Sequence, residues 1–284
     1  MEINKLIRLG VDKIKGRQYG NPILEATLLL GKLLKVDKVY IYTHGDEEVP
    51  DFVVDKFFEM IDRRKEGYPI QYIINEKEFM GLDFYVEEGV LIPRPDTEIL
   101  VEYVLDYIDK VYGKEKIDLL DIGIGSGAIG ISIAYYKKNA NVYGVDISDS
   151  ALRVSNINKE RFNLNNVTLI KSDLFENIDK NRKFHIIASN PPYISRRDME
   201  ILQEEVKNYE PKIALEGGLD GLDFYRRIIP ESKCYLYQGG LLILEIGYDQ
   251  NIQVRNMMER EGFINIKTLK DLQGFDRVVL GIKE

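Results

Sequence analysis

The sequence of 284 residues is short of the side chains that most often carry metal and redox chemistry. It has one cysteine, Cys234, so no intramolecular disulfide can form, which fits a reducing compartment. Its two histidines, His44 and His185, stand far apart and give no ligand-spaced cluster with the lone thiol, so no metal site is expected. No apolar run is long enough to span a bilayer. The start, Met1-Glu2-Ile3-Asn4-Lys5, lacks the charged-then-apolar pattern of a signal peptide. A cytoplasmic protein with no membrane contact is therefore expected. There is no excess of positive charge either. With 47 acidic against 39 basic residues the formal net charge is -8, which argues against direct binding to nucleic acid through phosphates. Internal repeats and low-complexity tracts are absent as well. What is present is a hydrophobic content of 44%, enough for a sizeable core.

The first part of the chain has helical spacing. Ile3, Leu6, Ile7, Val11 and Ile14 recur at helical intervals, and Asn21-Pro22 places an N-cap before a proline at the first helical position. A further helix is expected from Pro50-Asp51, carrying Phe52, Val53, Phe57, Phe58 and Ile61. Residues 1–70 are thus expected to form a small helical bundle, without chemical residues of its own and suited to docking a substrate. Ile70, Tyr72 and Ile73, and then Phe79, Phe84, Tyr85 and Val86 around Gly81, suggest strands turning at a glycine. Residues 71–95 are expected to be a linker with a β-hairpin, and residues 96–284 the catalytic domain, its first helix running from Asp96 through Ile108.

From Lys116 strands alternate with helices. Strands are expected at Ile117–Ile122, Asn141–Asp146, Val167–Lys171, Phe184–Ser189 and Leu241–Ile246, an order that implies a parallel sheet covered on both faces. The short polar link between Phe263–Leu269 and Arg277–Ile282 requires an antiparallel pair. An α/β fold of this kind, mostly parallel with an antiparallel last strand, is that of class I S-adenosylmethionine-dependent methyltransferases.

Leu119-Leu120-Asp121-Ile122-Gly123-Ile124-Gly125-Ser126-Gly127 is an apolar strand entering a glycine-rich turn, where a ligand can approach the backbone closely. Asp146 closes the next strand, where a carboxylate can hold ribose hydroxyls. Gly125 to Gly130 also matches the dinucleotide fingerprint G-x-G-x-x-G. Asp121 just before the glycines and the antiparallel end of the chain argue against that reading. An acidic residue there suits a cationic ligand without phosphate, such as S-adenosylmethionine. Asp173 in Ser172-Asp173-Leu174-Phe175 is placed to accept from an adenine amine and Leu174 to cover the ring, with a surface turn as the alternative.

Asn190-Pro191-Pro192-Tyr193 follows an apolar strand at its carboxyl end, where ligands of open α/β sheets collect. The prolines fix φ and remove two backbone donors. Asn190 adds an amide oxygen and a donor, and Tyr193 a flat ring. Together these residues are expected to cradle a planar –NH2 group and offer acceptors to its hydrogens. No histidine stands near the motif, consistent with a methyl transfer that needs no strong base before attack.

These motifs resemble the HemK/PrmC protein-(glutamine) methyltransferases. The resemblance is carried by Ile92-Pro93-Arg94-Pro95-Asp96-Thr97-Glu98, the Asp121–Gly127 loop, Ser189-Asn190-Pro191-Pro192-Tyr193-Ile194, Glu210-Pro211, Gly217-Gly218, Asp220-Gly221-Leu222, Phe224-Tyr225-Arg226-Arg227-Ile228 and Asp276-Arg277-Val278-Val279. It implies methyl transfer from S-adenosyl-L-methionine, leaving S-adenosyl-L-homocysteine, to the glutamine of the GGQ motif in class 1 peptide chain release factors. Carried over, Gly123, Ile124, Gly125, Ser126, Gly127, Asp146, Leu174 and Asn190 would contact the cofactor, and Asn190, Pro191, Pro192 and Tyr193 would hold the glutamine. Arg94 and Glu98 are expected either to pair and order the linker or to face the substrate. Asn75 stands where a glycine is expected and leaves the exact turn of the hairpin open. A DNA or RNA amino methyltransferase would use the same cradle on an exocyclic base amine. A non-catalytic cofactor sensor would not need the cradle.

Overall fold

In the computed structural model, which describes residues 1–16 and 20–284, the helical spacing at the start becomes five helices among the described residues. They are α1 (Ile3–Ile14), α2 (Pro22–Leu34), α3 (Lys38–Thr43), α4 (Asp51–Lys65) and α5 (Ile70–Ile74). The Asn21 side chain accepts from the backbone N–H groups of Ile23 and Leu24, each at 3.1 Å, and Pro22 occupies the first turn where its missing donor costs nothing. Leu6, Ile14, Leu29, Leu30, Phe57 and Ile61 are fully buried in one apolar cluster, while Phe52 on α4 is exposed.

The rest of the chain holds the hairpin of β1 (Lys77–Phe79) and β2 (Leu82–Phe84), then α6 (Glu98–Tyr107), β3 (Ile117–Ile122), α7 (Ala128–Tyr136), β4 (Ala140–Asp146), α8 (Asp149–Arg161) and β5 (Val167–Lys171). It continues with β6 (Phe184–Ser189), α9 (Glu204–Tyr209), α10 (Asp223–Tyr235), β7 (Leu236–Glu245), α11 (Asn251–Arg260), β8 (Phe263–Lys270) and β9 (Asp276–Lys283). Two units result: Met1–Glu76 with Glu204–Tyr209, and Lys77–Gln203 with Glu210–Glu284.

Two local expectations are corrected. Ile70, Tyr72 and Ile73 lie in α5 and not in a strand: Ile70 and Ile73, three apart, are both buried against the helical cluster, and a segment of five residues, Ile70-Gln71-Tyr72-Ile73-Ile74, is too short to separate the two periods by itself. Asn75 takes the left-handed conformation (φ 53°) as the C-cap of α5, so it is not part of the hairpin turn, which Met80 and Gly81 make at φ 53° and 69°. In addition, β7 begins at Leu236. Leu236 pairs with Phe184 and Leu241 with Ile186, so the strand starts earlier than the expected Leu241 and the intervening residues bulge at Gly239 and Gly240.

The larger unit is built on a sheet of order β5-β4-β3-β6-β7-β9-β8. All neighbours run parallel except β9, which is antiparallel to both β7 and β8. Alternation along the strands divides the core: Leu119, Ile186, Leu241 and Ile243 pack with α6 and α7, whereas Leu120, Ile187, Leu242 and Leu244 pack with α10 and α11. Each such side chain contributes about 1.5–3 kcal/mol relative to exposure. The register then places the functional residues. Ile122 pairs with Val145 and with Ser189, and Ser189 pairs with Leu244. Gly123, Asp146, Asn190 and Glu245 are therefore level, each one residue beyond, at the carboxyl edge of four neighbouring strands.

In the smaller unit one buried ion pair joins the helices. Arg64 donates to Glu25 twice, at 2.9 and 2.7 Å, and to Glu205 at 2.9 Å, with the side chains of Arg64 and Glu25 3% and 9% exposed. Removing one partner leaves a buried charge without compensation. Arg64→Ala should destabilise this unit by about 3–5 kcal/mol, and the double change Arg64→Leu with Glu25→Leu by less. Denaturant unfolding followed by circular dichroism of the two variants measures the difference.

Candidate active site

The glycine loop leaves β3 through a turn that only glycine accepts readily. Gly123, Gly125 and Gly127 take φ of 73°, 55° and 90°. Backbone N–H groups of Gly123 and Ile124 both donate to the Val145 carbonyl at 2.9 Å, which ties the loop to the end of β4. Asp146 holds it from the side. One of its carboxylate oxygens accepts from Gly125 N at 3.0 Å and the other from Ser148 N at 2.9 Å, leaving lone pairs on both for a ligand. Burial raises its pKa against those two hydrogen bonds. On the far side of the loop, the buried Asn158 of α8 donates to the Ser126 carbonyl and to the Tyr85 carbonyl, both at 2.9 Å.

A cleft opens in front of this edge. Among the residues expected from sequence, Gly123, Ile124, Gly125, Ser126, Asp146, Asp173, Leu174, Asn190, Pro191, Pro192 and Arg94 line it. Asp121, Gly127, Tyr193 and Glu98 do not. Asp121 lies beneath the loop, 1% exposed, and accepts from Gly130 N at the start of α7 at 2.8 Å. Burial pushes its pKa up to about 7. Arg94 and Glu98 do not pair with each other. Arg94 donates to the buried Glu210 at 2.5 Å, and Glu98 accepts from Met80 N at 2.7 Å, so each ties its own end of the segment to a different element. Asp173 is paired with Arg227 at 2.9 Å, and Leu174 is buried at φ 49°.

The Asn-Pro-Pro-Tyr segment is held from behind. Gln250 donates to the Tyr193 carbonyl at 2.9 Å, and the Ser189 hydroxyl donates to the Ile122 carbonyl at 2.7 Å. Gly217 lies against the segment so closely that a Cβ there would come within 2.6 Å of the Pro192 oxygen. Tyr193 turns its ring into the core beside α10, and its hydroxyl donates to Glu245 at 3.3 Å. Asn190 Nδ2 donates to Thr97 Oγ1 at 3.2 Å.

Glu245, Asn158 and Gln250 were not singled out from sequence, and Thr97, which lines the cleft, was named only within the Ile92–Glu98 segment without a role. For Glu245 a signal exists: it is the one charged residue in the apolar run Leu241-Leu242-Ile243-Leu244-Glu245-Ile246, and the structure buries it to 1% exposure. Burial pushes its pKa to about 7. Asn158 and Gln250 act through contacts distant in the chain and carry no local signal.

The lining suits a cationic adenosyl ligand better than a pyrophosphate. Asp146 and Asp173 are acidic, and Ile147, Leu174, Ile213 and Phe224 are apolar. Among the described residues the single cationic side chain on the wall, Arg94, is engaged with Glu210. Residues 5–74 match the family model of the PrmC N-terminal domain, and residues 97–219 that of the Methyltransferase small domain. A release factor glutamine methyltransferase of Clostridium acetobutylicum is 48% identical over 261 residues, spanning 91% of this chain and 90% of that protein. The chain belongs to the release factor glutamine methyltransferase family. A relative of the same description from Clostridium botulinum is 43% identical over 281 residues, 98% of each chain. The fold is shared with the solved 16S rRNA N2 G1207 methyltransferase of T. thermophilus, in complex with AdoMet and guanosine (TM-score 0.53, 20% identity, 74% of this chain and 50% of that one). Among the described residues no cluster of His, Cys, Asp or Glu could hold a metal, and no helix is long and apolar enough to cross a membrane.

The two buried acids set a pH dependence. Asp121 and Glu245 have pKa values of about 7 in the folded chain against reference values of 3.8 and 4.5. Between those limits the native state holds protons that the unfolded chain has released, so stability falls as pH rises through this window and levels off above it. Asp121→Asn, which keeps an acceptor for Gly130, should flatten that fall. Urea midpoints of wild type and variant across the window test it, and parallel curves would show that Asp121 titrates normally.

Proposed function

We propose that this protein transfers the methyl group of S-adenosyl-L-methionine to the side-chain amide nitrogen of the glutamine in the GGQ motif of class 1 peptide chain release factors. The observation that carries the reading is the position of Asn190-Pro191-Pro192 on the wall of the same cleft as the glycine loop and Asp146, level with them across the sheet edge. Family membership supports the choice of a protein glutamine over a base amine. So does the absence, among the described residues, of an unengaged cationic side chain on the cleft wall.

In this reading Asp146 accepts from the ribose hydroxyls, the glycine loop supports the cofactor from below, Leu174 covers the adenine, and Asp173 stands at its edge. When bound, the cofactor supplies an electrophilic methyl group on a sulfonium and leaves as S-adenosyl-L-homocysteine. Asp121 lies under the loop on the side a sulfonium would occupy, where a cationic ligand would favour its ionised form. An amide nitrogen is a weak nucleophile because its lone pair is delocalised, as the roughly 18–20 kcal/mol rotation barrier reflects. Asn190 Oδ1 and the carbonyls of the proline segment accept the two amide hydrogens, which orients the nitrogen and raises its electron density. The two prolines contribute no competing N–H. Catalysis is then chiefly orientation. The proton leaves after the methyl has transferred, so no strong base is required. Residues 1–70 serve as the docking part for the release factor, residues 71–95 as the linker, and residues 96–284 carry the chemistry.

Incubating the protein with labelled cofactor and a class 1 release factor, then mapping the modified residue by mass spectrometry, tests the assignment. A methyl group on the glutamine of the GGQ motif is expected, and label on nucleic acid with none on the factor would overturn it. Asp146→Ala should weaken cofactor binding by about 1.5–3 kcal/mol, read by calorimetry, because it removes both a ligand contact and the support of Gly125. Asn190→Ala should lower turnover by at least ~10²-fold while changing cofactor affinity less. Asn190→Asp, which keeps an acceptor, should fall between wild type and alanine in single-turnover rate.

A further inference from the structure

The two prolines that free the Asn190–Pro192 segment of competing N–H groups also deprive it of two backbone donors with which it could anchor itself. Its geometry has to be fixed from outside, through carbonyls. Tyr193, the next residue, is where that hold is found. Its carbonyl accepts from Gln250 Nε2 at 2.9 Å, and the same nitrogen donates to the Gly221 carbonyl at 3.1 Å. The Gln250 side-chain oxygen accepts from Gly247 N at 2.9 Å, and the Tyr225 hydroxyl, which donates to the Glu245 carbonyl at 2.8 Å, reaches it at 3.4 Å.

Three features single out Gln250. It occupies the N-cap of α11, where a short polar side chain would satisfy the first N–H groups of the helix, yet its side chain makes no cap bond. The buried amide is directed instead at the backbone following β6, the backbone following β7 and the turn before α10. Its orientation is fully determined, because a reversed amide would set its oxygen against two carbonyls and its NH2 against an N–H. Space for it is made by glycine: at Gly221, with φ 78°, a Cβ would come within 2.3 Å of the Tyr193 oxygen and 2.6 Å of Gln250 Nε2. Beyond Tyr193 the chain is paired through its own backbone, Ile194 N donating to the Leu215 carbonyl at 2.9 Å and Gly217 N to the Ile194 carbonyl at 2.8 Å. Gln250 therefore grips the residue that joins this pairing to the Asn190–Pro192 segment.

We propose that Gln250 is a positioning residue for methyl transfer, which fixes the Asn190–Pro192 acceptors by holding the Tyr193 carbonyl. Gln250 is not on the cleft wall, so it acts through the backbone and not on the substrate. Occupying the Tyr193 carbonyl also confines the acceptors open to the glutamine amide to Asn190 Oδ1 and the carbonyls before Tyr193. A methionine of the same length would fill the site without burying an amide, so packing alone does not call for glutamine there. What the amide adds is two donors aimed at two carbonyls of separate segments. The proposal rests on the amide-acceptor reading given above and adds what enforces it.

Gln250→Met keeps the length and removes both donors. Gln250→Glu keeps the shape and the acceptor for Gly247 but, when ionised, sets oxygen against the Tyr193 and Gly221 carbonyls. Each should lower kcat for methylation of the release factor by roughly 10–100-fold, the range for a small displacement of reacting groups. KM, and cofactor affinity by calorimetry, should stay near wild type. A protonated carboxyl regains one donor beside its acceptor, and burial raises its pKa. The rate of Gln250→Glu relative to wild type should therefore rise as pH is lowered, while that of Gln250→Met stays constant. If wild type methylates the glutamine and both variants keep full kcat, the positioning role is overturned. It is overturned equally if cofactor affinity falls in step with kcat in both variants, since Gln250 then supports only the fold, or if Gln250→Glu is as slow as Gln250→Met at every pH. A wild-type protein that leaves the glutamine unmodified would overturn the acceptor assignment, and the positioning role with it.

Discussion

Parallel pairing of β3 with both β4 and β6 is the constraint on which the site depends. Parallel neighbours end at the same edge, and their register fixes which residues share a level. Here Ile122, Val145 and Ser189 form one row, and Leu244 on β7 continues it. A shift of one residue in any strand would send Asp146, Asn190 or Glu245 to the opposite face of the sheet. Two apolar layers make such a shift expensive, because the alternating leucines and isoleucines of every central strand would exchange faces with it.

Two buried carboxylates stand against that apolar background. Asp121 and Glu245 are each 1% exposed, and each has one oxygen without a regular hydrogen-bond partner. Burial lifts both toward neutral pH. Their positions differ in consequence. Asp121 accepts from the first turn of α7 beneath the glycine loop, whereas Glu245 accepts from the Tyr193 hydroxyl behind the proline segment. One lies under the glycine loop and the other behind the Asn-Pro-Pro segment. The polar groups that face the cleft are in this way supported by groups that do not.

Much of the architecture was legible because it is written in short-range patterns. The bounds of β3, β5 and β6 follow from apolar runs closed by polar or glycine residues, and Asn21-Pro22 marks the start of α2 by capping chemistry alone. The motifs at strand ends were legible for the same reason: glycines, prolines and single polar residues in sequence carry their conformational meaning with them. Where the pattern was short it misled. The five residues Ile70–Ile74 fit either period, and packing against the helical cluster decided for helix. The strand expected from Leu241 begins instead at Leu236, with a bulge at Gly239 and Gly240 inside β7.

Residues adjacent in the chain were enough to specify the succession of strands and helices, the glycine turn after β3, the carboxylate closing β4 and the donor-free backbone after β6. The partners that the charged and polar side chains take were settled by the packed fold alone. Arg94 pairs with Glu210 rather than Glu98, Tyr193 turns inward to Glu245, and Thr97 meets Asn190 from a distant part of the chain. The physical reason is range. Backbone conformation is set within a few residues, whereas a buried polar group takes whichever partner the packed strands and helices bring within about 3 Å.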